Sequence, residues 1–169
     1  MGRDKALLPV AGSPMALRVA DALRAAGCDP VIAVGGDSDA LELLGLATIA
    51  DRWPGEGPLG GVITALQYFD RHDVAVIVAC DLPQLSSATV MALAGALSAS
   101  DAADVAMAIT DRQQPLCAAW HPRAAVALSV AFAAGGRRLL DALANLRVID
   151  VDVAAQQLVN VNTVDDLPG

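Results

Sequence analysis

Aromatic side chains are scarce in this sequence: two Trp, one Tyr and two Phe make up 3% of 169 residues, although 55% of the chain is hydrophobic. A core with so few rings has to be filled by Ala, Val, Leu and Ile. That suits helices layered on a buried parallel sheet and argues against a small all-β domain. Cysteine is also short. Cys28, Cys80 and Cys117 are odd in number and show no two-residue spacing, so neither a disulfide framework nor a zinc site is indicated. All three read as small core residues of a reducing cytoplasm. No apolar run approaches the roughly 20 residues needed to span a bilayer, and Met1 begins no signal sequence. Positive charge is outnumbered, with 11 Lys and Arg against 19 Asp and Glu and a formal net charge of −8. A field of that sign repels phosphate backbones and anionic lipid, which argues against nucleic acid and membrane partners. An anionic small substrate would need a local group of donors, or a divalent cation, working against the global charge.

What is present is a strand and helix alternation in a chain of one-domain size. Ser13 and Pro14, followed by an apolar stripe from Met15 to Ala26 and then Gly27, predict a helix with an N-cap serine, a proline at its first position and a C-terminal glycine. Residues 30–34 and 46–50 predict short buried strands, 58–69 a helix, and 74–79 the most apolar strand. A helix over 86–97 is capped by Ser86 or Ser87. Strands follow at 104–109 and 116–120, helices at 122–133 and 137–143, and a last strand at 146–151. This order predicts an α/β three-layer sandwich with a mostly parallel sheet, Rossmann-like, in a single domain spanning residues 1–169.

Ligands of open α/β sheets bind beyond the carboxyl ends of the strands. The residues there are polar: Gly35-Gly36-Asp37, Asp51-Arg52, Asp81, and Asn160-Val161-Asn162. A single carboxylate at such a position commonly just caps a helix, but their joint placement marks one end of the sheet. Asp81 follows an apolar strand, a rigid support from which a carboxylate can meet a hard divalent cation such as Mg2+. Gly57-Pro58-Leu59-Gly60-Gly61 opens a helix and permits close backbone approach of a ligand to its positive end. Lys5 could reach phosphates as a point charge. Arg137-Arg138 could be a second phosphate contact or simply charges entering a helix. His72 and His121 read as surface residues, and Cys117 and Trp120 as packed ones.

These motifs, in order and spacing, resemble the molybdenum cofactor guanylyltransferases. The likeness runs from Met1-Gly2-Arg3-Asp4-Lys5-Ala6-Leu7-Leu8, through Gly57-Pro58-Leu59-Gly60-Gly61 and Cys80-Asp81-Leu82-Pro83, to Asn160-Val161-Asn162-Thr163. It implies a nucleotidyltransferase that moves GMP from GTP to molybdopterin with Mg2+ and releases pyrophosphate. By that likeness Lys5 contacts GTP phosphates, Asp51 the nucleotide together with Gly57, Pro58, Leu59 and Gly60, and Asp81 the metal. Lys5 and Asp81 are then the catalytic pair. Arg137, Arg138, Asn160 and Asn162 fall on the side of the pterin substrate. The family's pattern places a strand, Leu-Ala-Gly-Gly, a serine and an arginine ahead of the Met-Gly found here. The resemblance therefore implies an N-terminally incomplete domain. An asparagine found in some members aligns near Ala33.

Two other readings remain on sequence grounds. One is a different nucleotidyltransferase, using CTP on molybdopterin or serving a sugar phosphate or phospholactate. The other is a non-catalytic nucleotide-binding relative that keeps the fold.

Overall fold

The computed structural model describes residues 5–161. After a 3-10 turn at Lys5–Leu7, the two-residue strands β1 (Pro9–Val10) and β2 (Ser13–Pro14) form a hairpin. It turns at Ala11 and Gly12, both at positive φ. Helix α1 (Met15–Ala25) follows, then β3 (Ile32–Val34), α2 (Ser38–Leu43), β4 (Ala47–Ile49), α3 (Pro58–Tyr68) and β5 (Ala75–Val78). The chain continues through α4 (Ser87–Ser98), β6 (Val105–Ile109), β7 (Gln113–Trp120), α5 (Ala124–Ala133), α6 (Leu139–Ala142) and β8 (Val148–Asp152).

The core obeys the period of 2 that a sheet covered on both faces requires. Val105, Met107, Ala118 and Trp120 point to one side, where α3, α5 and α6 bring Leu59, Ile63, Leu128 and Leu139. Ala106, Ala108, Cys117 and Ala119 point to the other, against Val19 of α1 and Val90, Leu93 and Leu97 of α4. The three layers expected from the sequence are present. Small residues at the sheet let the helices sit close, as the shortage of rings demands.

Several local expectations are corrected. Ser13 and Pro14 do not start the helix as cap and first residue: they form β2, and Pro14 precedes Met15 with no side-chain cap bond. Ser86 does cap α4, accepting from Thr89 N at 3.2 Å. Strand β7 begins at Gln113 rather than 116 and runs antiparallel to both β5 and β6, whereas β6 and β8 are parallel. The connection of residues 110–112 is too short for a crossover, so only an antiparallel return is possible. Cys80 is exposed and Cys28 half-buried; only Cys117 is the core thiol expected of all three. Burial pushes the Cys117 thiol up to about 12.

Pairing among the described strands is not continuous. It gives the β1-β2 hairpin, a parallel pair β3-β4, and a four-stranded piece in the order β5-β7-β6-β8. Between β3 and β5 lies an open slot. Among the described residues, no helix is long and apolar enough to cross a membrane.

Candidate active site

The carboxyl ends of β3, β4 and β5 converge on a cavity of about 420 Å³. Gly35 and Gly36 come to it from β3, Asp51 from β4, Cys80 from β5, and Gly57 and Pro58 from the opening of α3. Gly35 and Gly36 both have positive φ, 69° and 81°. A side chain built on Gly35 would meet Asp51 Cβ at 3.4 Å, so the two strand ends lie side by side.

Asp51 is fixed by its neighbours. Its Oδ1 accepts from Trp53 N at 3.0 Å and lies 3.3 Å from Thr64 Oγ1. That hydroxyl is buried, accepts from Arg52 N, and is also within 3.0 Å of the Gly60 carbonyl. Thr64 is a participant that sequence reasoning missed. Its signal was a hydroxyl on an otherwise apolar helical face, four residues after Gly60.

Gly57 stands at φ 89°, ψ 177°, just before Pro58 at the first turn of α3. That backbone region is essentially closed to side chains. Leu59 is fully buried in the core and Gly60 packs under Trp53, whose Cβ would be 3.1 Å from an added methyl. These two shape the helix opening rather than face the cavity. Arg137 braces the same loop. Its Nε donates to Glu56 Oε2 at 2.6 Å, its Nη1 to the carbonyls of Phe132 and Gly136, and its guanidinium lies 4.0 Å over the Phe132 ring. Arg138 is exposed, with a loose 3.8 Å ion pair to Asp141.

Asp81 occupies the turn after β5. Its Oδ1 is buried and has no hydrogen-bond partner among the described residues. A buried acceptor left so costs about 1–3 kcal/mol, a cost a bound cation or donor removes. The Asp81 carbonyl accepts from Val161 N at 3.0 Å, which brings the exposed Asn160 beside the β5 end although the two lie far apart in the sequence. Asn162 lies outside the described residues. Lys5 is exposed at the start of the first 3-10 turn, whose Ala6 lines the same cavity. Among the described residues no group of three or more His, Cys, Asp or Glu could enclose a metal. A cation at Asp81 would complete its shell with ligand oxygens and water, as magnesium commonly does.

Comparison with known proteins gives the family. The MobA-like NTP transferase domain matches residues 1–148. A probable molybdenum cofactor guanylyltransferase of Chloroflexus aggregans is 36% identical over 177 aligned positions, covering 98% of this chain and 85% of that protein. The molybdenum cofactor guanylyltransferase of Xanthomonas euvesicatoria is 34% identical, with 96% and 83% covered. Among solved structures, molybdopterin-guanine dinucleotide biosynthesis protein A from Archaeoglobus fulgidus shares the fold at a TM-score of 0.77 and 24% identity, covering 98% of this chain and 87% of that one. A 4-diphosphocytidyl-2C-methyl-D-erythritol synthase from Anaerococcus prevotii does so at 0.76 and 11%, with 95% and 89% covered. With its strand-end carboxylates, its glycine-opened helix and these relatives, the chain belongs to the molybdenum cofactor guanylyltransferase family of MobA-like nucleotidyltransferases.

Proposed function

We propose that the protein transfers GMP from GTP to molybdopterin in the cytoplasm. A terminal phosphate oxygen of the pterin attacks the α-phosphorus in line. The bond from that phosphorus to the β-bridging oxygen breaks, and pyrophosphate leaves with the electron pair. No covalent enzyme intermediate is needed, so the side chains contribute position and charge.

The observation that carries this reading is the buried, unpartnered Asp81 Oδ1 at the end of β5. It fits a divalent cation, and Asp81 would hold Mg2+. Bound there, the metal would neutralise phosphate oxygens and the leaving pyrophosphate. Lys5 adds charge on the phosphates. The opening of α3 at Gly57 and Pro58 turns the positive end of the helix toward an anionic ligand. Asp51, whose Oδ1 is engaged by Trp53 and Thr64, offers its other oxygen to the N1 and N2 donors of guanine, a basis for rejecting adenine. Arg138 and the Asn160–Asn162 segment serve the pterin phosphate. Arg137 supports that side through its hold on Glu56.

The test is Asp81→Asn, assayed beside the parent for GTP binding and GMP transfer. Transfer should fall at least about 100-fold, the scale of losing one charge stabiliser, while thermal stability is unchanged or higher. Near-normal transfer would remove Asp81 from the mechanism, and equal transfer from CTP would overturn the guanine assignment.

A further inference from the structure

The turn that carries Asp81 from β5 into α4 is tied at three points to distant parts of the chain. The Asp81 carbonyl accepts from Val161 N and the Pro83 carbonyl from Arg18 Nε of α1, both at 3.0 Å, and Ser86 at the start of α4 meets Gln157. Leu82 and Leu85, between these ties, are buried. At the third point a single side-chain oxygen gathers three donors. Gln157 Oε1 accepts from Ser86 Oγ at 2.7 Å, from Ser86 N at 3.3 Å and from the buried Thr89 Oγ1. Ser86 N can only donate, so the atom facing it is the amide oxygen. Helix α4 does not need this oxygen for its cap, because Ser86 Oγ already accepts from Thr89 N at 3.2 Å. The cluster instead fastens the 3-10 turn Ala155–Leu158 to the start of the helix.

The two stretches pass each other in opposite senses, with Asp81 opposite Val161 and Ser86 opposite Gln157. Between those ties Leu158 is buried in the core on the α4 side of the sheet, and Val161 packs with Val10 and Met15. Helix α1 thus touches both stretches, through Arg18 and Met15. We propose that Gln157 is a positioning residue for the reaction: by holding the 157–161 segment along the turn from Asp81 to Ser86, it fixes the direction in which Asp81 offers its carboxylate to a divalent cation. It acts through the main chain of Asp81 rather than by touching the ligand. A turn tied at one end only can rotate that carboxylate, and a metal ligand free to rotate binds more weakly than one held by its surroundings. The proposal rests on the reading of Asp81 as the metal ligand and adds to it a residue that lies in none of the motifs.

The test compares Gln157→Leu with Gln157→Glu. Leucine keeps the bulk and removes the acceptor, and Ser86 Oγ and Thr89 Oγ1, 3.3 Å apart, can then bond to each other, so the fold is kept. Glutamate keeps the acceptor, and its charge suits the N-terminal end of α4. Binding of Mn2+ to the protein with GTP is followed by electron paramagnetic resonance, and binding of GTP in EDTA by calorimetry. Gln157→Leu should weaken Mn2+ binding about 10- to 100-fold, the usual effect of removing a group that orients a metal ligand, and leave the metal-free affinity for GTP unchanged. Gln157→Glu should match the parent in both. Parent-like Mn2+ affinity in Gln157→Leu, an accompanying loss of metal-free GTP affinity, or an equal loss in Gln157→Glu would overturn the proposal. Asp81→Asn, run beside them, separates this from a failure of the metal assignment. It should lose Mn2+ more severely than Gln157→Leu, and parent-like affinity in it would overturn that assignment and with it the role given to Gln157.

Discussion

Asp104 shows how one residue joins three elements. Only 14% exposed, it accepts from Arg123 Nε at 3.2 Å, and from Arg147 N at 3.0 Å and Nε at 3.4 Å. The entry to β6 is thereby tied to the starts of α5 and β8. Burial alone would raise its carboxyl pKa. The hydrogen bonds from the Arg147 backbone and from both guanidinium groups outweigh that, and the group is held below its ordinary value. A depressed folded pKa contributes stability that is full above the unfolded value near ~3.9 and is lost as pH falls through the folded one. Asp104→Asn should therefore cost about 1–3 kcal/mol at neutral pH, with the gap to the parent closing below about pH 4. Parallel acid-unfolding curves for the two proteins would show that the carboxylate carries none of this. Nothing in the sequence exposed the role. The arginine partners stand far along the chain, whereas Asp51 and Asp81 could be picked out because each directly follows an apolar run.

At the level of elements, the opening of α3 depends on one glycine more than on its neighbours. Gly57 has φ 89° and ψ 177°, whereas a methyl on Gly61 would meet nothing within 4 Å. Gly57→Ala should destabilise by about 1–3 kcal/mol and weaken GTP binding, and Gly61→Ala should be neutral or gain up to about 1 kcal/mol by helix propensity. Equal melting temperatures for these two variants would contradict that division. The motif was legible in the sequence as a glycine-rich helix start, but which glycine bears the strained backbone was not, since that depends on the path from β4. Helices and strands with clear periodicity were likewise legible, α4 down to a capping serine, read as Ser86 or Ser87 and found to be Ser86. The antiparallel course of β7 was not. Its hairpin passes through Thr110-Asp111-Arg112, with no glycine to announce a turn. The pairing of Asp81 with the Asn160–Val161 segment was also hidden, because a backbone bond between distant residues leaves no mark on composition.

Taken as a whole, the molecule has unequal halves. Ala6, Ala16, Ala20, Leu41 and Leu46 form a small cluster of their own around β3 and β4, apart from the two larger clusters on either face of the four-stranded sheet. Among the described residues no strand bonds cross the slot, and residues 32–49 are held mainly by helix packing, with Arg24 Nη2 of α1 donating to the Gly45 carbonyl at 3.4 Å. They should open locally before the rest unfolds. Brief thermolysin digestion under native conditions should cut first within 32–49 and leave the region from β5 to β8 whole. First cleavage within β6 or β7 would mean that the sheet is equally secure throughout. This division lay beyond the sequence, which predicted β3 to β8 but could not say how they would pair.

Helix α1, through Ala16, Val19 and Ala20, and helix α3, through Gly61, Val62 and Ala65, cover the slot between β3 and β5, and this bears on association between molecules. A bare sheet edge ordinarily recruits other chains, yet here a neighbouring molecule's sheet cannot slide between two helices, and a net charge of −8 keeps like molecules apart. Both safeguards fail together when residues 32–49 lift away, because two edges are then bared at once on an apolar surface. Turbidity on slow heating should begin at the temperature of that partial opening, several degrees below the main calorimetric transition, and added salt, by screening the charge, should bring it lower still. Clouding that waits for the main transition would show that the edges stay sheltered until the whole fold is lost.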